Sequence, residues 1–336
     1  TLINTQSIAN FVTDEGWGGL LHTRARACIQ DMQDYFMANN IDGLIKEIGK
    51  KLALALPEDP IQATIDFLES IPDDKYTEKC QLNEEWIPLK LISSREYNHN
   101  CKVLRFELPR PILPLNLPTC ACILVKGDKE LKKEVRPYTP ISSGRQKGYL
   151  ELLVKSYPEG KISKWMCSLA VGKAVTFKHI PFNVKIPVKE LRELNSLIML
   201  AGGTGITPMY QALMELLDNR LGSTMKCPKI VLLYGNNTEE DILLKEQLDE
   251  MQQRCANFRA VYVVSKLEEK GSAEEGFIDA EKIRRLCPPP SKSQKVLVCG
   301  PPPMYKALCG ARSEKIITGV LKDLGYCTSE NSVYKF

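Results

Sequence analysis

The stretch Ser196-Leu197-Ile198-Met199-Leu200-Ala201-Gly202-Gly203-Thr204-Gly205-Ile206-Thr207-Pro208-Met209 decides how the chain is read. Leu197 to Leu200 form a short unbroken apolar run, the pattern of a strand buried on both faces, and Tyr210 to Leu217 read as a helix. Between them the glycines allow a tight strand-to-helix turn and the close approach of a phosphate, which the positive end of the helix attracts. The turn is neither G-x-G-x-x-G nor a P-loop, because a Lys followed by Ser or Thr is missing. Alone it also fits a purely structural turn.

Outward from this turn the same grammar repeats. Ile230 to Tyr234, Arg259 to Val264 and Lys295 to Cys299 are further apolar runs alternating with helix-like segments, which predicts an α/β domain with a parallel sheet over residues 191–336. Upstream, Pro88 to Ile92, Lys102 to Leu108, Cys120 to Lys126 and Tyr149 to Tyr157 read as short strands between Pro- and Gly-containing turns, a small antiparallel β-barrel over 81–190. Residues 1–72 read as helical. Ile41, Leu44, Ile45, Ile48 and Leu52 recur at helical spacing, Pro57-Glu58-Asp59-Pro60 breaks the pattern, and Ile61, Ile65 and Leu68 begin a second apolar face. Polar Pro72-Asp73-Asp74-Lys75 marks a linker, so that the expected fold class is multidomain: a helical pair and linker over 1–80, then the barrel, then the α/β domain.

Composition bounds the function. With 336 residues, 43% of them hydrophobic and 26% charged, the chain can bury several cores. No apolar run reaches the roughly 18 residues needed to cross a bilayer, so no transmembrane anchor is expected. No basic segment followed by an apolar one precedes the first helix-like stretch, so a secretory signal is expected to be absent or already removed. Twelve cysteines without a C-x-x-C pair or a ferredoxin-type run, and three histidines (His22, His99, His179) not spaced as ligands, predict reduced thiols and no metal centre. The net charge of +4 is uneven: residues 1–80 hold 7 Lys/Arg against 13 Asp/Glu, or −6, and the remainder 38 against 28, or +10. Long basic runs interleaved with aromatics are missing, which excludes a nucleic-acid binder, while a basic face suits an acidic partner protein.

Four stretches carry chemistry. In Arg136-Pro137-Tyr138-Thr139-Pro140-Ile141-Ser142-Ser143, read as lying between two barrel strands, Arg136 offers a fixed fork for pyrophosphate oxygens, Tyr138 a flat surface for a planar ring and Thr139 a short hydroxyl for a ring nitrogen; Pro137 and Pro140 hold the backbone extended. Lys155 follows in Val154-Lys155-Ser156-Tyr157, and Gly160-Lys161-Ile162-Ser163 opens a helix whose free N–H groups suit an anion, although alone it is an ordinary helix start. The glycine turn Gly202 to Gly205 is the third. The fourth is Val298-Cys299-Gly300-Pro301-Pro302-Pro303-Met304 after the last apolar run, at an edge where open α/β sheets bind ligands; Cys299 there can face a nicotinamide or serve as buried filler.

In this order and spacing the four motifs resemble the NADH-cytochrome b5 reductase branch of the ferredoxin reductase superfamily. The resemblance covers residues 85–336, including Tyr234-Gly235-Asn236-Asn237-Thr238-Glu239-Glu240-Asp241-Ile242-Leu243-Leu244 and the tail Val333-Tyr334-Lys335-Phe336, which looks like the plant and fungal members. It implies an NADH-dependent flavoprotein reductase that passes single electrons to a separate acceptor such as cytochrome b5. It implies that Arg136, Pro137, Tyr138, Thr139, Val154, Lys155, Tyr157 and Gly160 to Ser163 bind FAD, with Thr139 near the reactive ring nitrogen. Thr207 then lies between flavin and nicotinamide, and Gly202, Gly203, Thr204, Gly205, Pro208, Cys299, Gly300, Pro301 and Met304 hold NADH. Thr139, Thr207 and Cys299 are the catalytic candidates. Asp241 stands where the family carries an acid near the adenosine ribose, and a carboxylate there repels a 2′-phosphate. Two departures stand out: Cys120 and Cys122 occupy a loop that is G-Q-H in many superfamily members, and no H-P-G-G heme signature occurs.

Tyr35-Phe36-Met37-Ala38-Asn39-Asn40-Ile41, the two helices and the Pro57–Pro60 break resemble the dimerisation and docking domain of protein kinase A regulatory subunits and the Dpy-30 type. That resemblance implies a homodimer whose residues 34–71 grip an amphipathic helix of a scaffold protein, in the cytoplasm and at a cilium or axoneme; the alternatives are a plain helical cap and a mitochondrial reductase freed of its presequence. A competing function is a non-catalytic structural component of a large, ciliary assembly that keeps a reductase fold. The intact Arg136, Tyr138, Thr139 and Cys299 argue against it.

Overall fold

The computed structural model describes residues 41–70, 80–128, 131, 134–180, 186–217, 226–267, 273–329 and 332–336. The chain divides into two units, Thr1–Lys79 and Cys80–Phe336. In the first unit, helices α1 (Ile41–Ala55) and α2 (Pro60–Ser70) are separated by the Pro57–Asp59 break. Helix α2 starts there because Asp59 Oδ1 accepts the N–H groups of Ile61 (2.9 Å) and Gln62 (3.0 Å), while Pro60 at the first position has no N–H to satisfy. Lys51 lies 4.5 Å over the Phe67 ring, tying the two helices. The helical reading of residues 1–40, with Tyr35 to Asn40, and the Pro72–Lys75 linker lie outside the described residues.

The second unit begins with strands β1 (Ile87–Asn98), β2 (Cys101–Glu107), β3 (Ile123–Lys126), β4 (Val135–Tyr138) and β5 (Tyr149–Lys155), helix α3 (Lys161–Ser168) and strand β6 (Ala174–His179). The strands form an antiparallel sheet in the order β4-β3-β6-β1-β2-β5. β1 pairs with β6 through Ile87 to Lys90 and with β2 beyond Leu91, bending at two irregularities, and so belongs to both halves. The Ile141 N–H donates to Glu151 O at 2.9 Å and the Glu151 N–H to Ser142 Oγ at 3.0 Å, which ties the chain after β4 to β5 and brings the sheet's edges together. Inside, alternate residues such as Ile123 and Val125 are fully buried, and Phe106 meets Phe177 edge to face at 4.9 Å.

Here the structure corrects two expectations. Arg136-Pro137-Tyr138 is not a connection between strands but the edge strand β4 itself; an edge position leaves one row of N–H groups unpaired, so Pro137 is tolerated. The strand expected from Cys120 starts only at Ile123, because Cys120 has a positive φ of 64° and turns the chain.

The rest of the unit runs α4 (Val188–Glu193), β7 (Ser196–Gly202), α5 (Ile206–Leu216), β8 (Lys229–Asn236), α6 (Lys245–Arg254), β9 (Phe258–Val264), β10 (Glu274–Glu275), α7 (Ala280–Leu286), β11 (Gln294–Cys299), α8 (Pro302–Cys309), α9 (Gly319–Asp323) and β12 (Val333–Lys335). All strand pairs are parallel, in the order β10-β9-β8-β7-β11-β12. Every residue of β7 is buried, as its unbroken apolar run requires. One face of the sheet buries Leu197, Met199, Leu213 and Tyr234, and the other Ile198, Leu200, Val296 and Tyr305. The first of these cores also takes in Cys101, Val103, Cys120 and Leu153, so barrel and sheet share it. From β7 the chain steps outward through β8 and β9, then returns to the opposite side of β7 for β11. A crevice therefore opens where the carboxyl ends of β7 and β11 diverge, the switch point at which such sheets bind ligands.

Candidate functional site

A groove of about 1510 Å3 runs from the outside of β4 to this switch point. That exceeds the usual pocket for one small ligand and leaves room for two dinucleotides. Its barrel wall contains Arg136, Pro137, Tyr138, Thr139, Lys155, Tyr157 and Gly160 to Ser163; its sheet wall contains Gly202 to Gly205, Thr207, Pro208, Asp241, Cys299, Gly300, Pro301 and Met304. Of the residues singled out from the sequence, Val154 alone does not line it: its side chain is fully buried in the barrel core, and its carbonyl accepts from Cys167 Sγ at 3.7 Å.

The barrel wall is built on side-chain charge. Arg136 Nη2 lies 3.0 Å from Glu134 Oε2, and Lys161 Nζ donates to Glu134 Oε1 at 2.8 Å. The Lys161 bond, with Arg136 beside it, holds the Glu134 carboxyl below the usual carboxylate range. Burial pushes the Tyr138 phenol up, so its ring is a neutral flat surface. At the start of α3 no side chain caps the helix, and the first-turn N–H groups face the groove's Gly160 corner.

The sheet wall is built on backbone. Gly203 has a positive φ of 53°, and its carbonyl accepts from the Tyr234 hydroxyl at 2.9 Å; that oxygen in turn accepts the Leu243 N–H at 3.3 Å. A Cβ on Gly205 would stand 2.1 Å from Cys299 O, so the two loops that end β7 and β11 lie directly against each other. Thr207 Oγ1 donates to Thr204 O at 3.2 Å. Burial raises the Cys299 thiol to about 11, against the opposing bond from Tyr305, so the thiol is neutral at ordinary pH. Pro301 caps α8 and Pro302 opens it, which brings a second helix start to the crevice.

The walls are joined by polar bonds. Lys155 Nζ donates to Asp241 Oδ1 at 2.9 Å, and Thr238 Oγ1 to Oδ2 at 3.3 Å. Burial works to raise the Asp241 carboxyl, but the bond and charge of Lys155 outweigh it and the net shift is downward. The sequence assigned Lys155 to the flavin and Asp241 to the ribose; in the structure each is the other's ion partner. Tyr157 OH lies 3.1 Å from Thr204 Oγ1, and the Leu244 N–H donates to Tyr97 OH at 2.7 Å.

Among the lining residues assigned no role from the sequence are Glu134, Phe277, Arg312, Tyr334 and Phe336. Glu134 lies just before β4, and the signal available for it was a carboxylate two residues from Arg136. Phe277 is 76% exposed, an aromatic that directly follows a glycine in Glu275-Gly276-Phe277-Ile278-Asp279. Among the described residues no group of side chains could hold a metal ion. The two cations, flat phenol and helix start of the barrel wall fit a flavin dinucleotide; the glycine turn and two helix starts at the switch point fit a nicotinamide dinucleotide.

The FAD-binding domain of oxidoreductases matches residues 88–181, and the oxidoreductase NAD-binding domain matches residues 199–310. NADH-cytochrome b5 reductase 2 of Meyerozyma guilliermondii is 40% identical over 259 residues, covering 75% of this chain and 85% of that protein. The protein of the same name from Yarrowia lipolytica is 38% identical over 274 residues, 80% and 91% of the two chains. The chain belongs to the NADH-cytochrome b5 reductase family. Among solved structures, the cytochrome b5 reductase domain of Ulva prolifera nitrate reductase superposes with a TM-score of 0.62 at 26% identity, over 77% of this reductase and all of that domain. The CS-b5R domains of human Ncb5or in the NAD+ form share its fold, with a TM-score of 0.60 at 24% identity, over 79% and 72% of the chains. This reductase is thus a flavoprotein oxidoreductase whose FAD-binding domain coincides with the barrel and whose NAD-binding domain coincides with the parallel sheet.

Proposed function

We propose that this reductase oxidises NADH and delivers electrons one at a time to an acidic protein acceptor of the cytochrome b5 type. The observation that carries the reading is the single continuous groove in which Tyr138 and Thr139 of one wall share a space with Thr207 and Cys299 of the other. Bound FAD supplies the chemistry, accepting a hydride and releasing electrons singly. The protein's part is alignment. Arg136 and Lys161 would hold the diphosphate, Tyr138 would offer a flat surface to the ring system and Thr139 a hydroxyl to its edge. The amides of Gly202 to Gly205 and the start of α8 hold NADH, with exposed Phe277 as a platform for its base. The neutral Cys299 thiol adds bulk beside the nicotinamide without adding charge, and Asp241 disfavours a 2′-phosphate. The relatives' name and the net charge of +10 outside residues 1–80 support an acidic acceptor.

The test is an absorbance spectrum of the purified protein through the flavin bands, before and after anaerobic NADH or NADPH, followed by addition of oxidised cytochrome b5. Bleaching by NADH and recovery with cytochrome b5 are expected. A colourless protein that FAD does not restore returns the structural-component reading.

The exposed apolar residues of α1 and α2, among them Ile45, Ile61, Ile65 and Leu68, support a second part of the proposal: this unit dimerises and docks a scaffold helix, tethering the reductase in the cytoplasm or at a cilium. Light scattering before and after deletion of residues 1–75 reads the dimer, and an unchanged mass removes it. Imaging a tagged copy distinguishes cilium from mitochondrion.

A further inference from the structure

We propose that Glu134 sets the affinity of the barrel wall for its flavin dinucleotide, by competing with the diphosphate for Arg136 and Lys161. This rests on the reading of that wall as the FAD site. The two cations come from different elements, Arg136 from β4 and Lys161 from the first turn of α3, and one carboxylate spans them: Oε1 accepts from Lys161 Nζ at 2.8 Å and Oε2 lies 3.0 Å from Arg136 Nη2. Glu134 cannot drift away with its backbone, because its N–H donates to Leu131 O at 2.8 Å and its carbonyl accepts the Gly127 N–H at 3.0 Å. Arg136 is held too, with Nη1 donating to Val135 O at 2.8 Å.

The burial of the three side chains fixes their order from the protein outward. That of Glu134 is 22% exposed, whereas those of Arg136 and Lys161 are 57% and 65% exposed, so the carboxylate lies beneath and the cations reach over it. A diphosphate entering from the groove meets two positive charges, one of which is already balanced. To give the phosphates full bonds, the cations must leave Glu134, and the carboxylate is then a like charge beside the diphosphate. Exposed ion pairs are individually weak, so this competition tunes binding rather than blocking it.

The test is fluorescence titration of the flavin-stripped protein with FAD, comparing wild type with Glu134→Gln and Glu134→Ala. Both variants are expected to lower the Kd for FAD by about 2- to 30-fold, and the gain is expected to shrink when Lys161→Met is added, because one of the contested cations is gone. Unchanged or weaker binding in both variants overturns the proposal and makes Glu134 a brace that orients the cations. If the wild-type protein takes up no FAD at all, the reading of the wall falls and the proposal with it; if it binds FAD and the variants bind no tighter, the proposal falls alone.

Discussion

On the barrel wall of the groove the groups offered to a ligand are the tips of long side chains, Arg136 and Lys161, each more than half exposed and paired to one carboxylate, Glu134. On the sheet wall they are backbone amides of the glycine turn and the start of α8, with Gly202 and Gly205 pressed directly against the Cys299–Met304 segment. The first arrangement can be adjusted by a single charge and is strongly screened by salt; the second depends less on salt but does not tolerate one extra methyl group at Gly202 or Gly205.

The largest effect that sharpens this contrast is Gly205→Ala. The added Cβ meets the Cys299 carbonyl, and neither loop can retreat, so destabilisation of about 3 kcal/mol is expected by chemical denaturation, with loss of reduction by NADH. The counterpart on the barrel wall, Gly160→Ala, places its Cβ 2.2 Å from Ser163 Oγ, a side chain that can rotate away at the loss of two long hydrogen bonds, and 3.1 Å from Tyr157 Cβ, which must give slightly, so a smaller cost of about 1 to 2 kcal/mol is expected. Equal costs would break the comparison.

Next in size is Arg136→Ala, expected to weaken FAD binding by about 10- to 100-fold through loss of charge-assisted bonds. Raising the salt should weaken FAD binding in the wild type more than NADH binding, measured by titration at two ionic strengths.

The elements that could be read from the sequence are those whose signal is local. Residues 196–209 hold an apolar strand, a glycine turn and a helix in one piece, and the motif around Arg136 carries its side chains within four positions. β10 and β12 were missed because two or three residues show no period; β6 was missed although Val175, Thr176, Phe177 and Lys178 alternate apolar and polar, because only two apolar residues, Val175 and Phe177, carry that alternation. The Lys155–Asp241 pair joins residues 86 positions apart, and no pattern along one chain announces such a meeting.

That pair gives a further prediction. Asp241→Asn leaves Lys155 without its anion and removes the charge that opposes a 2′-phosphate; the preference for NADH over NADPH should narrow by about tenfold, read from kcat/KM with each. The same variant tests linkage. The Asp241 carboxyl is depressed in the folded state, so its contribution to stability is present above the ordinary carboxylate value and is lost as the pH falls through the folded one. The stability difference between wild type and Asp241→Asn, followed by denaturant titration, should therefore be full at neutral pH and vanish in acid. A difference that grows in acid contradicts the assignment.

The smallest expected effect concerns Cys299. With its thiol raised to about 11, alkylation by iodoacetamide should be slow at pH 8 and accelerate only in strong alkali, as read by mass spectrometry. Fast labelling at neutral pH would mean a thiolate, and a charged sheet wall after all.

The core that takes Cys101, Val103 and Leu153 from the barrel and Met199, Leu213 and Tyr234 from the sheet bears on how such a reductase can be taken apart. A chain cut between the two lobes would leave an oily scar on each, and neither fragment would stay in solution as a tidy cassette. Anyone splicing this electron donor to a new acceptor must move both lobes as one block and place the joint outside them, before residue 80 or after residue 336.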